Sequence, residues 1–320
     1  MKLGVYATLL QQYDLEAMLD LVASLGLEAV ELGVGIYPRR KHVEPQEVLA
    51  SPAKLQAVKD AFARRNLIIS AISCHGNPLH PDEAVARRSD QAYRDAVCLA
   101  AALEVPVVNL FSGCPGGGPE DRTPNWITCP WPTDFSQALE WQWNERIIPY
   151  WREAAPFAEE HGVKLAFEMH PGFSVYNPPT LLRLREAVGP VVGANFDPSH
   201  LFWQGIDPAA AIRALKGAIY HVHAKDTYID PHICATDGVL DTRPYAQVDK
   251  RSWLFRSVGY GHGVEVWKGI VSALRLVGYD YVLSIEHEDA LASVMEGLQK
   301  AIACLREAML REPPPKPWWT

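Results

Sequence analysis

The chain has 320 residues, with 48% hydrophobic and 21% charged, a formal net charge of -8 and a pI near 5.8. That length supplies a large core, either as one barrel or as two ordinary domains. The acidic balance excludes nucleic acid or an anionic membrane as principal partner, because both require clustered Lys and Arg.

In chain order, short β-rich runs appear as "KLGVY", "AVEL", "LIISAIS", "VPVVNLF", "VKLAFE", "VVGANF", "AIYHVH" and "YVLSIE". Amphipathic segments of helical spacing lie between them, among them "DLEAMLDLVASLG", "SPAKLQAVKDAFARR", "TLLRLREAVG" and "WKGIVSALRLVG". Ser51-Pro52, Asn177-Pro178 and Asp207-Pro208 read as capped helix starts. Unbroken βα alternation requires a parallel sheet, and eight units in this length predict an α/β chain folded as a single (β/α)8 TIM barrel. No G-x-G-x-x-G follows the first strand, which argues against a dinucleotide-binding sheet. The barrel is expected over residues 1–310, followed by a Pro/Trp-rich tail over 311–320.

Long loops follow strands 4 and 7: "SGCPGGGPEDRTPNWITCPWPTD" and the stretch from Ala224 to Gly263. Both leave strand C-termini, the face on which barrels build active sites, and their aromatics predict packed lids. The glycines of the first loop are not followed by a lysine in P-loop spacing, so a phosphate on the substrate is not expected. Six cysteines without C-x-x-C spacing predict reduced, structural thiols. The N-terminal run carries no cleavage-type site and no segment approaches the roughly 20 apolar residues of a membrane span, so a soluble cytoplasmic protein is expected, free or as a homo-oligomer.

Acidic or imidazole groups close four consecutive strands: Glu168 in "FEMHP", Asp197 in "FDPSH", His223 in "HAKD" and Glu286 in "SIEHED". Taken singly, each has a structural reading: an ion pair, a helix cap, a core histidine, a solvated helix start. Taken together they place three carboxylates and an imidazole at one point, which is costly unless a cation joins them. That oxygen-rich donor set suits a divalent metal ion, manganese first, with magnesium, cobalt or zinc as alternatives.

On these four motifs the whole chain resembles the xylose isomerase-like TIM barrels, the sugar phosphate isomerase/epimerase group that includes ketose 3-epimerases and inosose dehydratases. The resemblance implies that Glu168, Asp197, His223 and Glu286 hold the metal and that His200, three residues after Asp197, faces the substrate. It implies further that Glu168 and Glu286 flank the substrate carbon, one removing a proton and the other returning it, through a metal-stabilised enediolate. The expected function is isomerisation or epimerisation of a ketose or keto-sugar. The runner-up is β-elimination from a 3-keto-sugar, keto-glycoside or inosose by a lyase, and a non-catalytic sugar-binding barrel is the third reading. Catalytic roles are expected for Glu168, Glu286 and His200. Substrate contacts are expected from His75, Phe111, Trp126, His170, His200, Lys225 and His262, with Lys225 and Asp226 otherwise pairing with each other.

Overall fold

The computed structural model describes residues 1–37 and 42–312, and residues 313–320 of the Pro/Trp-rich tail lie outside them. Among the described residues ten strands form: β1 (Lys2–Tyr6), β2 (Ala29–Gly33), β3 (Ile68–Cys74), β4 (Val107–Leu110), β5 (Lys164–Glu168), β6 (Val192–Phe196), β7 (Ile219–Ala224), β8 (Asp226–Ile229), β9 (Trp253–Arg256) and β10 (Val282–Ile285). Eight of them close a parallel barrel in the order β1-β10-β7-β6-β5-β4-β3-β2. The expected (β/α)8 barrel is thus the observed fold, with β10 as its eighth strand.

Helices surround the barrel because their apolar stripes meet the outer face of strands that are themselves buried. Three predicted starts are built as expected: Ser51 accepts from the Lys54 amide, Asn177 from Thr180 and Asp207 from Ala210, each followed by proline at the first helical turn. Trp143, Trp151 and Trp267 fill the space between helices and strands and are fully buried. Among the described residues, no helix is long and apolar enough to cross a membrane, and no disulfide joins any of the six cysteines.

The loop after β7 carries regular structure that its sequence does not announce. Strands β8 and β9 pair antiparallel, Asp226 opposite Arg256 and Ile229 opposite Trp253, as a two-stranded ribbon standing on the C-terminal face of the barrel.

The barrel interior is unusually polar for a space that branched apolar residues ordinarily fill. Glu31, Ser70, Ser73, Asn109, Asn195, His221, His223 and Ser284 are all buried inside it. Register explains their company: Ser73 lies beside Asn109, Glu168 beside Asn195, Asn195 beside His221 and His223 beside Ser284.

Candidate active site

At the ends of β5, β6, β7 and β10, ligand atoms of Glu168, Asp197, His223 and Glu286 all lie within 4.8 Å of one another. His223 Nδ1 is 3.0 Å from Glu286 Oε2 and 3.5 Å from Glu168 Oε2. Asp197 Oδ1 accepts from the Ser199 amide at 2.8 Å, just ahead of the short helix Ser199–Phe202 whose N-cap is Pro198, while its other oxygen turns to the cluster. Asp197 Oδ2, His223 Nδ1 and Glu286 Oε2 are buried yet have no hydrogen-bond partner. Unfilled buried lone pairs on three of four convergent groups are what a divalent cation would occupy. The donor set of three carboxylates and one imidazole therefore fits such an ion.

The residues behind the cluster are held just as specifically. Glu31, in the middle of β2, receives His223 Nε2–H at 2.8 and 3.0 Å, Ser284 Oγ–H at 2.6 Å, Asn109 Nδ2–H at 3.0 Å and the Ser73 hydroxyl. His223 thus donates from one ring nitrogen and presents the other to the cluster, the orientation that a backing carboxylate imposes on a metal-ligating histidine. Glu31, His221 and His223 also converge closely enough to hold an ion. Glu31, however, has its oxygens already filled by these donors, so the four-residue cluster is the better site.

Charge follows the geometry. Burial would raise the Glu168 carboxyl, but hydrogen bonds from His200 Nε2 at 3.0 Å and His75 Nε2 at 3.2 Å outweigh it and hold the group well below its ordinary range. Burial likewise opposes ionisation of Glu286, while the Lys225 and His223 charges bring it down to about 2. Asp197 is pushed up to about 8, first by burial and then by the neighbouring Glu168 and Glu286. Burial drives His200 down to about 3, so it sits neutral.

A cavity of about 410 Å³ opens over the cluster and is lined by Glu168, Glu286, His75, Phe111, His170 and Lys225. Phe111 packs against His75 at 4.5 Å and His170 at 4.8 Å. These residues are the expected ones; His287 lines the cavity with them, and Tyr6 and Glu288 join without having been anticipated. His200 lies one layer behind the cavity, fully buried, with Nε2 also 3.3 Å from Asp197 Oδ2. His262 stands apart from the cavity lining: its Nδ1 is 2.8 Å from Asp226 Oδ1 and its ring stacks on Phe202 at 3.7 Å. Trp126 lines a separate aromatic pocket. The expected pairing of Lys225 with Asp226 does not occur. Lys225 lies in the break between β7 and β8 and lines the cavity, where its Nζ reaches Glu288 at 2.8 Å and Glu286 at 3.7 Å. Asp226 instead accepts from the amides of Gly259, Gly261 and His262 and from Trp267 Nε1.

Residues 19–308 match the family model described as the xylose isomerase-like TIM barrel. The chain belongs to that family. Two relatives in sequence place it further. The uncharacterized protein YfiH of Bacillus subtilis (strain 168) is 38% identical over 97% of this chain and 99% of its own length. The inosose dehydratase of Geobacillus thermodenitrificans (strain NG80-2) is 27% identical over 47% of this chain and 49% of its own. Among solved structures, a D-tagatose 3-epimerase-like protein superposes with TM-score 0.62 at 21% identity, covering 96% of this chain and 99% of that one. The IolI protein, solved with a zinc atom bound, gives 0.63 at 17% identity over 96% of both chains. At those identities the two structures establish the shared barrel.

Proposed function

We propose that this xylose isomerase-like barrel is a divalent-metal-dependent sugar isomerase or epimerase that moves a proton on the carbon beside the carbonyl of a ketose or keto-sugar. The observation that carries the reading is the placement of Glu168 and Glu286, which belong to the convergent cluster and also line the cavity. When bound, a divalent cation, manganese first, lowers the energy of negative charge developing on substrate oxygens. Glu168, Asp197, His223 and Glu286 hold it. Glu168 and Glu286 are both kept ionised by neighbouring histidines and Lys225 and so stand in the proton-accepting state at neutral pH. One takes the proton from one face of the substrate carbon, and the other, after taking up a proton from solvent, returns it from the opposite face, while the first releases its proton to solvent.

Lys225, anchored between Glu286 and Glu288, orients a substrate oxygen at the cavity wall. His200 acts through its hydrogen bond to Glu168 and its close approach of 3.3 Å to Asp197 Oδ2 by fixing the two carboxylates. The acidic lining favours a neutral sugar over a phosphorylated one. The glycines after β4 do not cradle phosphate either, because the Gly117 amide already donates to Asp121 at 2.5 Å.

Elimination is the second reading. It draws on the inosose dehydratase relative and on Tyr6 and His75, which line the same cavity with the phenol 3.3 Å from His75 Nδ1. Burial holds the Tyr6 phenol protonated, suiting it to donate to a departing oxygen. Incubating the manganese-loaded protein in D2O with a panel of ketoses, inososes and 3-keto-glycosides separates the readings. Solvent deuterium in a recovered or epimerised sugar supports the first, an unsaturated product the second, and no exchange with any of them contradicts both.

A further inference from the structure

The two long loops meet over a second cavity of about 240 Å³, walled by Trp126 from the loop after β4, by Trp203, and by Leu240, Tyr245 and Trp253 from the loop after β7. Its rings order one another. Trp203 and Trp253 stack at 4.9 Å with 5° between their planes, and Trp126 meets Tyr176 edge-on at 5.4 Å. Trp253 Nε1–H donates to the Val239 carbonyl at 2.9 Å. The indole N–H groups of Trp126 and Trp203, in contrast, are buried and find no acceptor, although buried indoles ordinarily have one.

One ring separates this chamber from the carboxylate cavity. Lys225 Nζ, on the cavity side, lies 4.4 Å from the Phe255 centroid, and Tyr245, on the chamber side, lies 5.7 Å from the same ring at 23°. The consecutive residues His170 and Pro171 line one space each. Charge at the chamber is engaged: Asp241 at its edge accepts from the amides of Arg243 and Ser252 at 3.0 and 2.8 Å, and the Arg251 guanidinium lies over the Tyr245 and Trp253 rings at 4.4 and 4.8 Å.

We propose that the aromatic chamber is the second subsite of an extended substrate, taking a flat neutral ring joined through a glycosidic oxygen to the sugar that Glu168 and Glu286 act on. This rests on the proton-transfer reading of the neighbouring site and deepens it, because a free monosaccharide leaves the chamber unused. Stacked indoles suit the apolar face of a six-membered ring, and the two unfilled N–H groups call for oxygen acceptors, which a glycoside carries and an alkyl chain does not. That ring is either a second pyranose or an aryl aglycone.

Calorimetry and tryptophan fluorescence with maltose, cellobiose, 4-nitrophenyl β-D-glucoside and methyl β-D-glucoside test it on the metal-loaded protein. At least one ring-bearing glycoside is expected to bind about tenfold more tightly than the methyl glucoside and to quench the tryptophans, and whether disaccharide or aryl glucoside does so identifies the ring. Trp126→Ala and Tyr245→Ala should each remove most of that advantage, and Tyr245, already 57% exposed, is replaceable without unfolding the lid. Equal affinity for all four probes, or an advantage untouched in both variants, overturns the subsite. Deuterium exchange into small keto-sugars is read separately: its loss with the glycoside preference intact contradicts the proposed reaction, while the reverse contradicts the chamber alone.

Discussion

Glu31 and His223, carried by strands on different sides of the barrel, are locked together by Nε2–Oε distances of 2.8 and 3.0 Å in the buried interior. Burial opposes a charge on either partner, but the mutual attraction prevails, holding the Glu31 carboxyl far below and the His223 imidazole well above their ordinary values. The pair fixes the ring that presents Nδ1 to Glu168 and Glu286.

Replacing Glu31 by Gln keeps the shape and removes the charge. Metal affinity is expected to fall by the roughly 10- to 100-fold typical of losing a carboxylate that backs a metal-ligating histidine, with Glu168, Asp197 and Glu286 untouched. Titrating manganese into the variant by calorimetry measures this, and an unchanged affinity would show that His223 needs no backing.

Metal should also stabilise the fold, because it relieves three convergent carboxylates. Chelation followed by dialysis is expected to lower the Tm, and manganese added at about 100 times its Kd should restore about 2.7 kcal/mol. Asp197→Ala should abolish that restoration. Differential scanning fluorimetry across manganese, magnesium, cobalt and zinc ranks the ions at the same time.

Lys225 is buried, while Glu288 is largely exposed, so their contact is partly screened and Lys225 matters chiefly for Glu286. Lys225→Met removes one of the two positive neighbours of Glu286, leaving His223, and should cost about 3 kcal/mol in denaturant unfolding, the low end for a broken buried pair. A Glu288→Gln change alone should cost less than about 1 kcal/mol. The double variant reports their coupling.

Asp289 ties the end of β9 to the segment after β10. Its carboxylate accepts from the Ser257 amide at 2.8 Å, the Leu291 amide at 2.9 Å and Arg256 Nε at 3.0 Å. Burial would raise its pKa, but these donors outweigh it and lower it. A depressed carboxyl stabilises fully above its unfolded pKa of about 3.9 and loses that contribution as pH falls through the folded value. Lid tryptophan fluorescence should therefore change on acidification below about pH 4, and Asp289→Asn should show the change already at neutral pH.

Much of this was legible in the sequence. Apolar runs ending in Glu168, Asp197, His223 and Glu286 place those groups at strand ends, and a closed parallel barrel then leaves them adjacent. Glu31 was missed because a single acid inside "AVELG" looks like any edge-strand charge. Its signal was that β2 must be buried on both faces, so the acid needed partners there. The β8–β9 ribbon escaped because its strands are short, separated by a long loop and paired non-locally. The partner of Lys225 is not its chain neighbour, because Lys225 falls in the break between β7 and β8 and a residue far along the chain, Glu288, receives the lysine.

The most direct test of the central claim is solvent-deuterium exchange at the substrate carbon by the manganese-loaded Glu168→Gln and Glu286→Gln proteins, with metal content measured on the same samples. Glutamine keeps an oxygen ligand and removes most of the basicity. Each variant should retain metal while exchange slows by roughly 10²- to 10⁴-fold. Normal exchange in both variants, with a His75 or His170 variant unable to exchange, would place the base on a histidine and contradict the account.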